Sequence, residues 1–174
     1  MELKFQSDEV LEEVKIIKNN VFTDQRGKFI KYYFSEINQK LKFNIDEAYY
    51  SVNNQGVIRG IHYQSNEEPL EKIVTCIDGE ILDLIIDMRP DSKEYGKFTS
   101  VKLSGKNNLS VYVPKGFGHG FSVLSKTATV QYLQSGNYAP QYELGLNPLS
   151  LDFNWCVENP IISEKDLKLP NINT

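Results

Sequence analysis

The chain has 174 residues, 40% of them hydrophobic and 24% charged, with a formal net charge of −4. That length suits one domain with a full core and is short for two, so a single domain over 1–174 is expected. The acidic balance leaves no basic surplus for nucleic acid or an anionic membrane, although a few local Arg and Lys side chains suffice for a phosphate-bearing small ligand.

Cys76 and Cys156 stand far apart, in no metal-like spacing, and read as small buried hydrophobes rather than a disulfide. The first residues, Met1 to Glu9, lack an apolar core of signal-peptide length, and no apolar run is long enough to span a bilayer. The cytoplasm is the expected compartment.

Short apolar runs separated by Gly, Asn, Asp and Pro predict strands over 14–17, 29–34, 48–52, 57–63, 72–77, 80–88, 97–103, 109–113, 121–124 and 128–133. Ile37 and Leu41, four apart, predict a short helix over 35–41. Asp78-Gly79 reads as a two-residue hairpin turn, Gly105-Lys106-Asn107-Asn108 marks another turn, and Pro114-Lys115-Gly116 ends the strand before it. Ser163-Glu164-Lys165-Asp166 can start a second helix. Many short, regularly spaced strands predict an all-β barrel or sandwich with a few short helices.

Both histidines fall in Gly-punctuated apolar segments, His62 in Arg59-Gly60-Ile61-His62-Tyr63-Gln64 and His119 in Gly116-Phe117-Gly118-His119-Gly120-Phe121. Histidine suits proton transfer near neutral pH, and the competing reading is a pair of hydrogen-bonded core residues. Strict alternation puts Arg59 and His62 on opposite strand faces, unless Gly60 hosts a bulge that re-aims one of them. Asp83 and Asp87 share a face with Ile81 and Ile85, which suggests a polar cavity lining. For Asp87 the preferred reading is a structural pair with Arg89 or Arg59. Ala128, Val130, Tyr132 and Gln134 form one face, so Tyr132 points into the barrel.

Several segments are carried together and in order: Phe22-Thr23-Asp24-Gln25-Arg26-Gly27-Lys28-Phe29, Gly56 to Gln64, Lys72-Ile73-Val74, Gly79 to Arg89, Pro114 to Phe121, Gln131-Tyr132, Asn137-Tyr138-Ala139-Pro140 and Ser163 to Asp166. With these the chain resembles the dTDP-4-dehydrorhamnose 3,5-epimerase family, deoxysugar epimerases of the cupin superfamily that act on dTDP-4-dehydro-6-deoxyglucose. The resemblance implies a cupin-type jelly-roll barrel, a nucleotide-sugar substrate, and a homodimer that exchanges N-terminal strands. It also implies an isomerase that needs no cofactor, working in deoxysugar supply for surface polysaccharide.

By the same resemblance His62 is the base, paired with Asp166, and Tyr132 is the acid that protonates the opposite face. Lys72 matches the cation beside the sugar C4 oxygen. Arg59 and His119 match substrate contacts, Arg26 an arginine on the diphosphate, Phe22 a ring under the base, and Tyr138 a tyrosine over the sugar. Gln64 belongs to the same substrate-contacting stretch. Without the resemblance, Lys72 reads as a surface lysine among Glu67, Glu68 and Glu71.

A catalytic metal is not expected, because Gly60 and Gln64 flank His62 where metal-binding cupins place a second histidine. The nucleotide end departs from the family. Lys31 replaces a glutamate, the stretch from Tyr49 to Gln55 is shorter and lacks a Gln-x-Asn pair, and Trp155 is followed by Cys156 rather than proline. These departures leave open a GDP- or CDP-linked 4-keto sugar or heptose, and inversion at C3 alone. More distant alternatives are a metal-dependent cupin oxygenase and a non-catalytic sugar-nucleotide binder.

Overall fold

In the computed structural model, which describes residues 4–65 and 67–172, two antiparallel sheets face each other. The outermost residues of the expected 1–174 domain lie outside the described residues. The six-stranded sheet runs β1 (Lys4–Ser7), β2 (Lys15–Lys18), β10 (Leu109–Val113), β7 (Glu71–Asp78), β12 (Thr127–Ser135), β5 (Glu47–Asn54). The five-stranded sheet runs β13 (Glu143–Gly145), β6 (Ile58–Gln64), β11 (Phe117–Val123), β8 (Glu80–Asp87), β9 (Phe98–Ser104). A separate ribbon pairs β3 (Asn20–Asp24) with β4 (Gly27–Lys31). This is the jelly-roll architecture expected from the resemblance.

Period-two alternation builds the core between the sheets. Ile81 and Ile85 of β8, Phe117, Phe121 and Val123 of β11, and Ala128, Val130 and Tyr132 of β12 meet there. The opposite faces are covered too, which is why several strands read as continuous apolar runs. Leu84 and Ile86 point outward under residues 146–172, where Leu151, Phe153 and Trp155 pack. Ile73 and Leu133 lie under the helix α1 (Ser35–Leu41) with Ile37 and Phe43. Each such side chain contributes roughly 1.5–3 kcal/mol on burial.

Several expectations need correction. Asp78-Gly79 is not a hairpin turn. β7 pairs with β10 and β12, and β8 with β9 and β11, so Gly79 (φ +80°) turns the chain from one sheet into the other. The strand expected over 29–34 stops at Lys31, because Tyr32, Tyr33 and Phe34 leave it to pack against the cluster beneath α1. β11 begins at Phe117, four residues early. Its glycines mark close packing rather than a turn, since a Cβ on Gly118 would lie 2.7 Å from Ile61 Cγ2. Strands β1, β3 and β13 were not anticipated. Cys76 is buried as expected, but Cys156 is exposed, and both are free thiols.

The covering segment 146–172 has a second role. Trp155 Nε1 donates to Pro148 O at 3.0 Å, and its carbonyl accepts from Ser122 Oγ at 2.6 Å. A bridge between Val57 and Ile161 then holds the chain against the start of β6. The short helix α2 (Glu164–Leu167) follows, its N-terminus capped by Ser163 Oγ, which accepts from Asp166 N at 3.0 Å. This delivers Asp166 to β6.

Candidate active site

A cavity of about 570 Å³ opens between the two sheets, a size that suits a small organic ligand. The five-stranded sheet supplies Arg59 and His62 from β6 and His119 and Phe121 from β11. The six-stranded sheet supplies Tyr49 and Ser51 from β5, Lys72 from β7 and Tyr132 from β12. Ser163, Lys165 and Asp166 close one side.

Arg59 and His62 reach one cavity because β6 is bulged. His119 of β11 faces His62, while Phe121, two residues on, faces Arg59, three residues back. The extra residue sits at Gly60, whose φ of +105° suits glycine. No side chain would fit there, since a Cβ would lie 2.5 Å from His119 O and 2.7 Å from Gly120 Cα.

Nε2 of His62 lies 2.7 Å from Asp166 Oδ1. Burial works against ionisation of Asp166, but the hydrogen bond and charge of His62, with bonds from Gly60 N and Ser163 Oγ, hold its carboxyl below the usual range. An ionised carboxylate accepts, so Nε2 carries the proton and Nδ1 keeps a lone pair for an incoming proton.

His119 is held in the same way by a second carboxylate. Its Nε2 lies 2.7 Å from Oδ2 of Asp83, which is fully buried and, among the described residues, has no hydrogen-bond partner on Oδ1. Burial pushes the Asp83 carboxyl up, opposed by His119 and Lys72. Burial likewise pulls the Lys72 ammonium down from its ordinary value, and the charges of Glu143 and Asp83 oppose that. Lys72 thus enters the cavity and is not the surface lysine of the simpler reading. Among the described residues, no cluster of three or more His, Cys, Asp and Glu side chains is placed to hold a metal ion.

Tyr132 is 8% exposed, with its ring edge-on to His119 (6.1 Å) and stacked on Tyr49 (4.9 Å, 19°). Burial pushes its phenol well above the ordinary value. Ser51 opposes this by a hydrogen bond, Asp83 and Tyr49 add to it, and Arg59 opposes it by charge. Burial and the charge of Glu47 push the Tyr49 hydroxyl to about 12.

The structure thus brings together His62, Lys72, Tyr132, Asp166, Arg59 and His119. It does not bring the other anticipated residues to the cavity. Gln64 is a buried clamp, its Nε2 donating to Glu68 O at 2.6 Å and its Oε1 accepting from Ala139 N at 2.8 Å. Tyr138 is exposed and donates to Glu143 Oε2 at 2.8 Å, which also takes Lys165 Nζ at 2.7 Å. Phe22, Arg26 and Lys31 lie on the β3–β4 ribbon, where Arg26 is 84% exposed and bound to Asp24. Asp87 binds Arg89, as expected, and Ser92. Tyr49, Ser51 and Lys165 were not singled out for the site. Alternation along β5, with Tyr49 directly opposite Tyr132, was the signal for the first two.

A family model described as dTDP-4-dehydrorhamnose 3,5-epimerase matches residues 8–174. The chain is 38% identical over 160 residues to the dTDP-4-dehydrorhamnose 3,5-epimerase of Methanothermobacter thermautotrophicus, covering 87% of this chain and 85% of that protein. It is 37% identical over 150 residues to the dTDP-4-dehydrorhamnose 3-epimerase of Streptomyces niveus, covering 82% and 72%. The crystal structure of the dTDP-6-deoxy-D-glucose-3,5-epimerase of Legionella pneumophila, in complex with dTDP-4-keto-L-rhamnose, superposes with a TM-score of 0.91 at 29% identity, covering 99% of this chain and 100% of that one. This chain therefore belongs to the dTDP-4-dehydrorhamnose 3,5-epimerase family and is an isomerase.

Proposed function

We propose that the protein inverts C3, and C5 as well, of a nucleotide-linked 4-keto-6-deoxyhexose by proton abstraction next to the ketone. The observation that carries this reading is the convergence of His62 with Asp166, Lys72 and Tyr132 on one cavity from two opposed sheets. A C–H bond beside a ketone is acidic because its loss gives an enolate. His62 Nδ1 takes that proton, and Asp166, bound to Nε2, fixes the tautomer and supports the imidazolium. The electron pair of the C–H bond moves into the enolate, whose oxygen faces the Lys72 ammonium. Tyr132 then gives its proton to the carbon from the opposite wall, and the ketone re-forms. General acid–base help of this kind is worth roughly 10²–10⁴ in rate.

The nucleotide end is completed, in this reading, by a second copy of the chain. Among the described residues the β3–β4 ribbon pairs only with itself, and it leaves Phe22 and Phe29 at 49% and 60% exposure. The edge strand β5 leaves Tyr50 and Val52 exposed on the face opposite the cavity-lining Tyr49 and Ser51. Exchange of ribbons between protomers would cover both surfaces and bring Phe22, Arg26 and Lys31 to the partner's diphosphate and base. Two unpaired cysteines suit a reducing compartment, in keeping with a cytoplasmic enzyme.

The test is incubation with dTDP-4-dehydro-6-deoxyglucose, with the product followed by NMR and dTDP, GDP, CDP and UDP compared as competitors. Inversion at C3 and C5 with dTDP the best competitor is expected. Inversion at C3 alone would place the protein with the 3-epimerase relative, and no inversion would contradict the proposal.

A further inference from the structure

Tyr49 and Tyr132 stand directly opposite each other on β5 and β12, and both line the cavity. Their rings stack with centroids 4.9 Å apart and planes 19° from parallel. The imidazole of His119 meets the Tyr132 ring at 6.1 Å and 80°. A phenol oxygen lies on the long axis of its ring, so a spin about that axis leaves the oxygen in place. What aims the Tyr132 oxygen is the tilt of the whole side chain, and the flat face of Tyr49 blocks tilt toward β5.

Tyr49 is itself held at its far end. Its hydroxyl donates to Gln134 Oε1 at 2.9 Å, and Gln134 Nε2 donates to Gly136 O at 3.2 Å, so both ends of that amide are committed. Gln134 is 2% exposed and stands two residues beyond Tyr132 on the same face of β12. Tyr49 therefore spans the inner face of β12, with its ring on Tyr132 and its hydroxyl on Gln134. Among the described residues β5 is a sheet edge bonded only to β12, and its Glu47 takes Tyr138 N at 2.7 Å as a further tie. Tyr49 is 39% exposed and Tyr132 only 8%, so the outer ring backs the buried one.

We propose that Tyr49 is a positioning residue for the acid, a stacked and anchored backstop that keeps the Tyr132 oxygen aimed at the substrate carbon. This rests on the epimerase reading above and adds what holds the phenol in line on the wall opposite His62. Tyr49 neither gives nor takes a proton and acts only through the placement of Tyr132.

The experiment compares wild type, Tyr49→Leu, Tyr49→Phe and Tyr132→Phe on dTDP-4-dehydro-6-deoxyglucose in D2O, recording inversion and deuterium in recovered substrate separately. Tyr49→Leu keeps apolar bulk at the sheet edge but offers no flat face. His62 then still removes and returns hydrogen on its own side, while delivery from the opposite side lags. Tyr49→Leu is expected to lower kcat roughly ten- to a hundredfold, the scale of a small misplacement of a reacting group, with KM changed less than about twofold. The ratio of exchange to inversion should rise about tenfold. Tyr49→Phe keeps the stack and loses only the tie to Gln134, so its kcat should stay within about fivefold of wild type. Wild-type kcat in Tyr49→Leu, or a Tyr49→Phe as impaired as Tyr49→Leu, would overturn the backstop. So would a raised KM with kcat kept, which marks a substrate contact, or exchange and inversion slowed alike, which marks general loss of structure. If wild type inverts and Tyr132→Phe is crippled, the epimerase reading stands however the Tyr49 variants behave. Full activity of Tyr132→Phe would overturn both.

Discussion

In the proposed mechanism His62 serves as the base because a buried carboxylate takes one ring nitrogen and leaves the other for substrate. The pair was legible only in part. His62 stood out through its rarity and its apolar setting, whereas Asp166 lies 104 positions away and only the family resemblance joined them. Gln64 misled for the opposite reason. Its place in a motif said nothing about its amide being spent on backbone groups of residues 68, 137 and 139. Asp87 was read correctly from a near neighbour, and it allows a pH test. Its carboxyl is opposed by burial but held below the ordinary value by Arg89 and Ser92. A depressed carboxyl contributes stability that is fully present above its unfolded pKa, about 3.9, and is lost as pH falls through the lower folded value. Asp87→Asn should thus lower stability at pH 7 by roughly 1.5–3 kcal/mol, the worth of a hydrogen bond to a charged group. The gap from wild type should close in acid, as read by thermal unfolding across pH. A gap that does not change with pH would contradict the assignment.

Strands were easier to read than their partners. Period-two alternation located β5, β7, β8, β10 and β12 to within one or two residues at each end, because their buried faces are apolar. Alternation does not say which strand pairs with which, so the Asp78-Gly79 corner passed for a hairpin. Glycines inside β11 likewise hid its first four residues, since close backbone packing and a turn ask for the same residue. The Gly60 bulge was anticipated from a conflict between alternation and the wish to join Arg59 with His62. Gly60→Ala should displace β6 from β11 and disorganise both side chains. We expect a fall in stability of about 1–3 kcal/mol from backbone strain, with kcat lowered at least tenfold. Wild-type kinetics in that variant would mean the bulge is dispensable to the site.

At the level of the molecule, the jelly roll places His62 and Tyr132 on facing walls of one cavity, as the proposed inversion at carbon requires. The many short, regularly spaced strands pointed to an all-β fold but said nothing of the ribbon, whose strand β3 went unread because Asn20, Thr23 and Asp24 interrupt its apolar pattern. The exchange of ribbons has a direct test in co-expressed His62→Ala and Arg26→Ala chains. In a mixed dimer the Arg26→Ala protomer keeps its own His62 and receives an intact ribbon from its partner. Activity at low substrate should then exceed that of either variant alone. If the ribbon serves its own protomer, the mixture will show only the average of the two.

The central claim is proton exchange at carbon through His62, and mass spectrometry of dTDP-4-dehydro-6-deoxyglucose incubated in D2O reads it most directly. Wild type should incorporate deuterium at C3 and at C5, and His62→Ala should lose at least 99% of that rate, in line with the roughly 10²–10⁴ expected of a general base. Deuterium entering as fast with His62→Ala as with wild type, or not entering with either, would contradict it.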